Sequence, residues 1–184
     1  MSHGAPSRLH RRRYDILGHC RFLTFSCRHQ LPLFTNDAIK RAFTARLAKV
    51  RSTHAVSIVA WVIMPEHVHL LLHPDVSEAP MSRVLSALKR PFAEEVLHRW
   101  RSLDAPILHR ITDTKGHARF WERGGGYDRN VTTSTELVEK INYIHFNPVR
   151  RGLVETPADW AWSSARWYAG LTEGPVKIDR VWGI

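Results

Sequence analysis

The spacing of apolar and polar positions changes period several times along the chain. "ILGHCRFLTFSC" has strand composition and is followed by loop signals in "LPLFTND". The period then becomes helical: in "NDAIKRAFTARLAKVRS", Ile39, Phe43, Leu47 and Val50 recur on one face, with Asn36 or Asp37 placed to cap it. "AVSIVAWVIMP" is nearly all apolar and reads as a buried strand. Pro65 begins a tight connection to "EHVHLLLH", and two strands joined so closely predict an antiparallel pair. "MSRVLSALKRPFAEEVLHRW" predicts a second helical stretch, kinked or started afresh near Pro91. Residues 101–118 are polar and turn-rich and read as a surface connection, and "ARFWERGGGYDRNV" reads as a strand, a glycine turn and a short return. "TSTELVEKINYIHFN" is a third helix, with Thr133 and Glu136 spaced as a capping box. Helices interleaved with an antiparallel pair predict an α+β protein with a ferredoxin-like sheet.

Two of these elements carry side chains that their patterning does not require. Alternation along "HVHLLLH" puts His67, His69, Leu71 and His73 on one face, and Val68, Leu70 and Leu72 on the other, which reads as the core face. Two imidazoles, two residues apart on one face, converge as metal ligands must. The bland alternative is a half-exposed strand with a histidine-bearing polar face. In the third helix, at ~100° per residue, Leu137, Ile141 and Ile144 form an apolar stripe with Val138 on its edge. Tyr143 and Asn147 are one turn apart on a face that reads as nearly opposite that stripe. Asn147 precedes Pro148, which predicts a helix end or a kink there.

Composition alters this picture mainly through charge. Lys and Arg number 27 against 17 Asp and Glu, a net +10 in 184 residues, which favours a polyanionic partner, nucleic acid before an anionic membrane. Seven Trp, seven Phe and four Tyr offer surfaces for stacking unpaired bases. Residues 1–13, "MSHGAPSRLHRRR", read as a basic arm in which Arg8, Arg11, Arg12 and Arg13 track phosphates; residues 14–170 read as one domain and 171–184 as a tail. Lys89, Arg90, Arg123, Arg129, Arg150 and Arg151 are further candidates for DNA contacts. Cys20 and Cys27 fall on opposite faces of one strand, so no disulfide is expected, and the longest apolar run is too short to cross a membrane. A cytoplasmic, nucleoid-associated protein is the expectation.

"MPEHVHLLL", "FWERGGGYDRN", "YIHFNPVRRGLV" and "DWAWSSARWY" occur in that order over residues 14–170 and together resemble the REP-associated tyrosine transposases, members of the HUH (His-hydrophobe-His) single-tyrosine transposases. The resemblance implies a ferredoxin-like palm with the histidine pair on a central strand and a nucleophilic tyrosine on a later helix. It implies His67 and His69 as metal ligands, Tyr143 as nucleophile and Asn147 as a third ligand, shorter by a methylene than the glutamine of related transposases. It also implies Mg²⁺ or Mn²⁺, single-stranded or hairpin DNA as partner, and strand cleavage and rejoining through a 5′-phosphotyrosine, by a monomer or homodimer. Tyr127 is the rival nucleophile, read as lying on a hairpin. Two other readings stand beside this one: a hairpin-DNA-binding protein that no longer moves its own gene, and a zinc hydrolase recruiting His73 or His145 as a third ligand. For these two, the plain expectation is that His73 ends its strand in solvent and His145 packs near the apolar stripe. Trp160, Trp162 and Trp167 are read as packing over the sheet or helices rather than stacking bases.

Overall fold

A computed structural model of the chain describes residues 18–74, 80–124, 126–171 and 174–181. The arm with Arg8, Arg11, Arg12 and Arg13 lies outside the described residues. The elements in chain order are β1 (Cys20–Ser26), α1 (Asp37–Thr53), β2 (Val56–Ile63), β3 (His67–Pro74), α2 (Met81–Ser102), α3 (Ile107–Ile111), β4 (Tyr127–Val131), α4 (Ser134–Arg150) and α5 (Ala165–Tyr168). The four strands form one sheet in the order β2-β3-β1-β4, every neighbouring pair antiparallel, which is the ferredoxin-like arrangement.

Helices cover both faces of this sheet, and that decides the environment of the histidines. Leu23, Phe25, Val68, Leu70 and Leu72 pack under α1 and α2 with an aromatic group that includes Phe34, Phe43, Phe92 and Trp121. Cys20, Phe22, Val62 and Leu71 face the other way, onto Leu137, Ile141 and Ile144 of α4. A bulge between Ile58 and Ala60 shifts β2 by one residue, so Ile58 and Trp61 share a face despite their odd spacing. Cys20 and Cys27 are free, buried and on opposite faces. Burial pushes the Cys20 thiol up to about 12, leaving it an unreactive apolar group.

Three expectations change. Helix α2 runs on through Pro91, because Val84, Leu85 and Leu88 before it and Phe92, Val96 and Leu97 after it are all buried; packing outweighs one missing amide donor. The stretch 101–118 contains α3, whose Ile111 is buried. Residues 118–131 are not a hairpin: Trp121 bridges Cys27, whereas β4 pairs with β1, Tyr127 opposite Thr24.

The free edge of β2 is covered by the end of the chain. Ile63 N donates to Trp162 O (2.9 Å), Ser164 N to Trp61 O (3.0 Å) and Asp179 N to Ile58 O (2.8 Å). The Asp179 carboxylate also pairs with Arg51, and Val176 and Ile178 join the core. Trp160 Nε1 donates to Ile63 O (3.0 Å) and Tyr168 Oη to Val59 O (3.0 Å), so this aromatic stretch is packing material for the sheet. Ser164 ties three elements together: its Oγ accepts from Trp61 N (3.0 Å) and lies 2.8 Å from Nε2 of the buried His145. Ser164→Ala strands both groups away from water and is expected to cost about 1–3 kcal/mol, read from the denaturant midpoint at unchanged slope.

Candidate active site

Strand β3 holds the histidine pair opposite β1, with His67 facing Ser26 and His69 facing Thr24 across the ladder. The pair does alternate away from Val68, Leu70 and Leu72, but not into solvent. Because α4 covers this face too, His69 is only 4% exposed and His67 is half-buried. The two imidazoles meet edge to face with their Nε2 atoms 3.0 Å apart.

Each ring is oriented from behind. His67 Nδ1 lies 3.0 Å from Glu66 Oε1, and that carboxylate also accepts from Arg151 Nη1 (2.8 Å). His69 Nδ1 lies 2.7 Å from Thr24 Oγ1, and Phe22 stacks against the His69 ring. Donation from Nδ1–H to these oxygens is the tautomer that leaves both Nε2 lone pairs turned toward one point, as metal ligation requires. Burial drives the His69 pKa down to about 3, with the neighbouring His67 a smaller cause. Burial also lowers His67, against the opposing pull of Glu66. Both rings are therefore neutral near pH 7, the form that donates to a metal.

The backbone at Thr24 is closely approached by Gly126. That glycine sits at φ +71°, and a Cβ there would stand 2.0 Å from Thr24 O, so only glycine lets the chain enter β4 against β1 at this point. This accounts for one member of the glycine run in "RGGGYD" by the close approach of two backbone segments.

Helix α4 supplies the remaining groups. Thr133 caps it, accepting from Glu136 N (3.2 Å), while Glu136 reaches back to Thr132 N (3.1 Å) and pairs with Arg129. Leu137, Ile141 and Ile144 are buried, as the stripe predicts, whereas Val138 at its edge is exposed. The helix runs through Asn147 and Pro148 to Arg150, so Asn147 lies within it and not at its end. Tyr143 and Asn147 occupy the flank of the stripe rather than the opposite side. Asn147 is 8% exposed, with Nδ2 3.1 Å from His69 Nε2. Tyr143 is 38% exposed, its ring centroid 5.2 Å from that of His69 and its face under Arg150, 5.3 Å away. His67, His69, Tyr143 and Asn147, 80 residues apart at the extremes, thus line one cleft of about 410 Å³ with Arg150 and Arg151.

The residues present fit a divalent cation. Two nitrogens 3.0 Å apart match neighbouring ligands of one ion, for which metal–nitrogen bonds of ~2.1 Å give roughly 3.0–3.4 Å. Asn147 Oδ1 is buried without a hydrogen-bond partner among the described residues while Nδ2 faces His69 Nε2, so a cation here would take the oxygen with the amide turned over. No three His, Cys, Asp or Glu side chains converge among the described residues, so the third donor on offer is an amide. His145 is directed to Ser164 and buried, beside the stripe as expected. His73 is half-buried beside Ser57 at the far end of β3, not in solvent. Neither joins the pair.

The other basic candidates divide. Lys89 lies over the rings of Phe25 and Trp121, and Arg123 neighbours it along a second cleft of about 430 Å³. Arg90 is exposed and paired with Glu94, and Arg129 is taken up by Glu136. Tyr127 stands on β4, not on a hairpin, packing edge-on against Phe22. Sequence reasoning missed Thr24, Glu66 and Phe22. Glu66 adjoins His67 in the chain and could have been found from that, whereas Thr24 and Phe22 approach His69 only through the β1–β3 register.

Comparisons with known proteins give the family and the fold. Residues 19–145 match the family model described as "Transposase IS200 like". The REP-associated tyrosine transposase of Escherichia coli (strain K12) is 25% identical over 169 residues, covering 91% of this chain and 88% of that protein. A solved REP-associated tyrosine transposase bound to a REP hairpin aligns with a TM-score of 0.63 at 22% identity, covering 88% of this chain and 86% of that one, and shares its fold.

Proposed function

Because the chain belongs to the IS200-like transposase family, we propose that it cleaves and rejoins single-stranded or hairpin DNA with Tyr143 as nucleophile and a divalent ion, Mg²⁺ or Mn²⁺, held by His67, His69 and Asn147. The observation that carries the reading is one cleft in which a half-exposed tyrosine stands beside two neutral, converging imidazoles and an unpartnered amide oxygen. The ion, when bound, supplies positive charge against a non-bridging phosphate oxygen. Tyr143 Oη attacks phosphorus and the P–O3′ bond breaks; net, the phenol proton passes to the departing 3′-oxygen. The product is a 5′-phosphotyrosine and a free 3′-hydroxyl. The new ester conserves the energy of the old one, so another 3′-hydroxyl can displace Tyr143 and reseal the strand.

Arg150 caps the Tyr143 ring and lines the cleft, so its guanidinium is available to steady the phosphate and the phenolate as it forms. Arg151, a candidate phosphate contact by sequence, is better read as a brace: through Glu66 it ties the end of α4 to the turn before His67. The solved relative is bound to a REP hairpin, which supports a hairpin substrate here as well. The binding-only reading keeps the cleft but predicts no chemistry, and the hydrolase reading lacks a third imidazole or carboxylate among the described residues.

The deciding experiment incubates the chain with end-labelled hairpin DNA and Mn²⁺ or Mg²⁺ and looks for a protein–DNA adduct that survives denaturation. Its appearance supports the reading. Cleavage without an adduct would favour hydrolysis, and binding without cleavage the non-catalytic protein. Glu66→Gln tests the brace. Removing the charge behind His67 is expected to weaken Mn²⁺ binding roughly 10–100-fold, measured by calorimetric titration without DNA.

A further inference from the structure

The turn that follows β1 holds two consecutive non-glycine residues, His29 and Gln30, at φ 54° each, in the left-handed region. L side chains enter that region reluctantly, and two in succession need external support. The support is visible. Glu122 accepts from His29 N (2.9 Å) and Arg28 Nη1 (2.7 Å), Arg28 N donates to Phe120 O (2.8 Å), and Gln30 N donates to Cys27 O (3.0 Å). Yet both His29 and Gln30 are exposed, so burial does not explain why the turn is held this way. Strain that persists without a packing return is a reason to look for function.

What the turn presents is position. Gln30 lines the histidine–tyrosine cleft of about 410 Å³ and also the adjoining cleft of about 430 Å³, where His29, Lys89 and Arg123 line the wall. A strand passing from the histidine–tyrosine cleft into its neighbour runs past Gln30, with His29, Lys89 and Arg123 on the neighbour's wall. A glutamine amide, which both donates and accepts, is matched to a base edge; a phosphate would call for a cation. His29 adds a ring on which a base can stack.

We propose that the His29–Gln30 turn reads base identity in the single-stranded segment adjoining the cleaved phosphate, with Gln30 as the discriminating group and Glu122 holding the turn through His29 N and Arg28. This rests on the reading of the site as one that acts on single-stranded DNA. The test uses the full chain and a pool of hairpin DNAs with randomised single-stranded flanks, bound, recovered and sequenced. The parent chain is expected to enrich one base at a flank position by roughly 10-fold, as a two-bond base contact does. Gln30→Gly, which also relieves the left-handed strain, is expected to flatten that preference to near unity with Tm unchanged or raised, and to leave the salt dependence of binding as in the parent. Gln30→Asn, which keeps the amide and tolerates the backbone, is expected to retain a preference. Parental preference in both Gln30→Gly and His29→Gly would overturn the assignment alone. A reduced salt slope in Gln30→Gly would overturn it in favour of a phosphate contact. Failure of the parent to bind any member of the pool would overturn the DNA reading of the cleft and this assignment together.

Discussion

Tyr143→Phe is expected to leave no detectable denaturation-resistant adduct on hairpin DNA, a loss on the order of 10⁴-fold or more, as removal of a nucleophile produces. The variant is informative because it removes one oxygen and little else. The phenyl ring can keep its contacts with His69, Phe22 and Arg150, and Tyr143 is exposed enough that no buried partner is orphaned. Unchanged thermal stability and unchanged DNA binding should accompany the loss. Tyr127→Phe is expected to keep the adduct, since Tyr127 stands on the far side of Phe22, on β4. The reverse pattern, an adduct in Tyr143→Phe and none in Tyr127→Phe, would move the nucleophile to β4.

The second large effect concerns the histidine pair. Saturating Mn²⁺ is expected to stabilise the parent chain by about 2.7 kcal/mol at a hundred times its Kd, because only the folded state brings the ligands together. His67→Ala and His69→Ala should each abolish that increment and the accompanying calorimetric heat. The two differ in their metal-free stability. His69 is enclosed by Thr24, Phe22 and Asn147, so its truncation also leaves a cavity and an orphaned hydroxyl, whereas the less buried His67 should cost little. Mn²⁺ stabilisation persisting in both variants would separate the pair from metal binding, whatever happens to cleavage. Measuring binding without DNA keeps this result independent of the tyrosine.

The ordering of effects follows from where each residue touches the site. Tyr143 is the one phenol among the described residues that line the cleft, so with Tyr143 as the proposed nucleophile its loss is expected to be total. Glu66 acts through His67 and should cost only a fraction of the metal affinity. Arg151 acts through Glu66, one contact further away. Arg150 is different in kind, since it lies against the Tyr143 ring and in the cleft itself.

Much of the fold is legible in the sequence because it rests on local periodicity. Asn36 caps α1 through Ala38 N, Phe43, Leu47 and Val50 are buried, and β2 and β3 form the expected antiparallel pair. The departures share one cause. A fresh helix start at Pro91, a hairpin over 118–131 and a helix end at Asn147 all follow from local breakers, and in each case distant packing or strand pairing prevails. Helix α2 has apolar residues on both sides of Pro91 pressing on one core, and β4 finds its partner in β1, a hundred residues earlier in the chain.

By itself the sequence determined which side chains share a face: alternation put His67 with His69, and helical spacing put Tyr143 with Asn147. Such assignments need only the repeat of a strand or a helix. Tertiary structure alone decided what those faces meet. By docking α4 on the sheet it buried His69, which alternation alone turns away from the core. It brought the Asn147 amide to the imidazole 78 positions away and set Thr24 behind the His69 ring. The physical reason is that a side chain's direction is set by its own few residues, whereas its burial, its proton and its partners are set by whatever the rest of the chain packs against it.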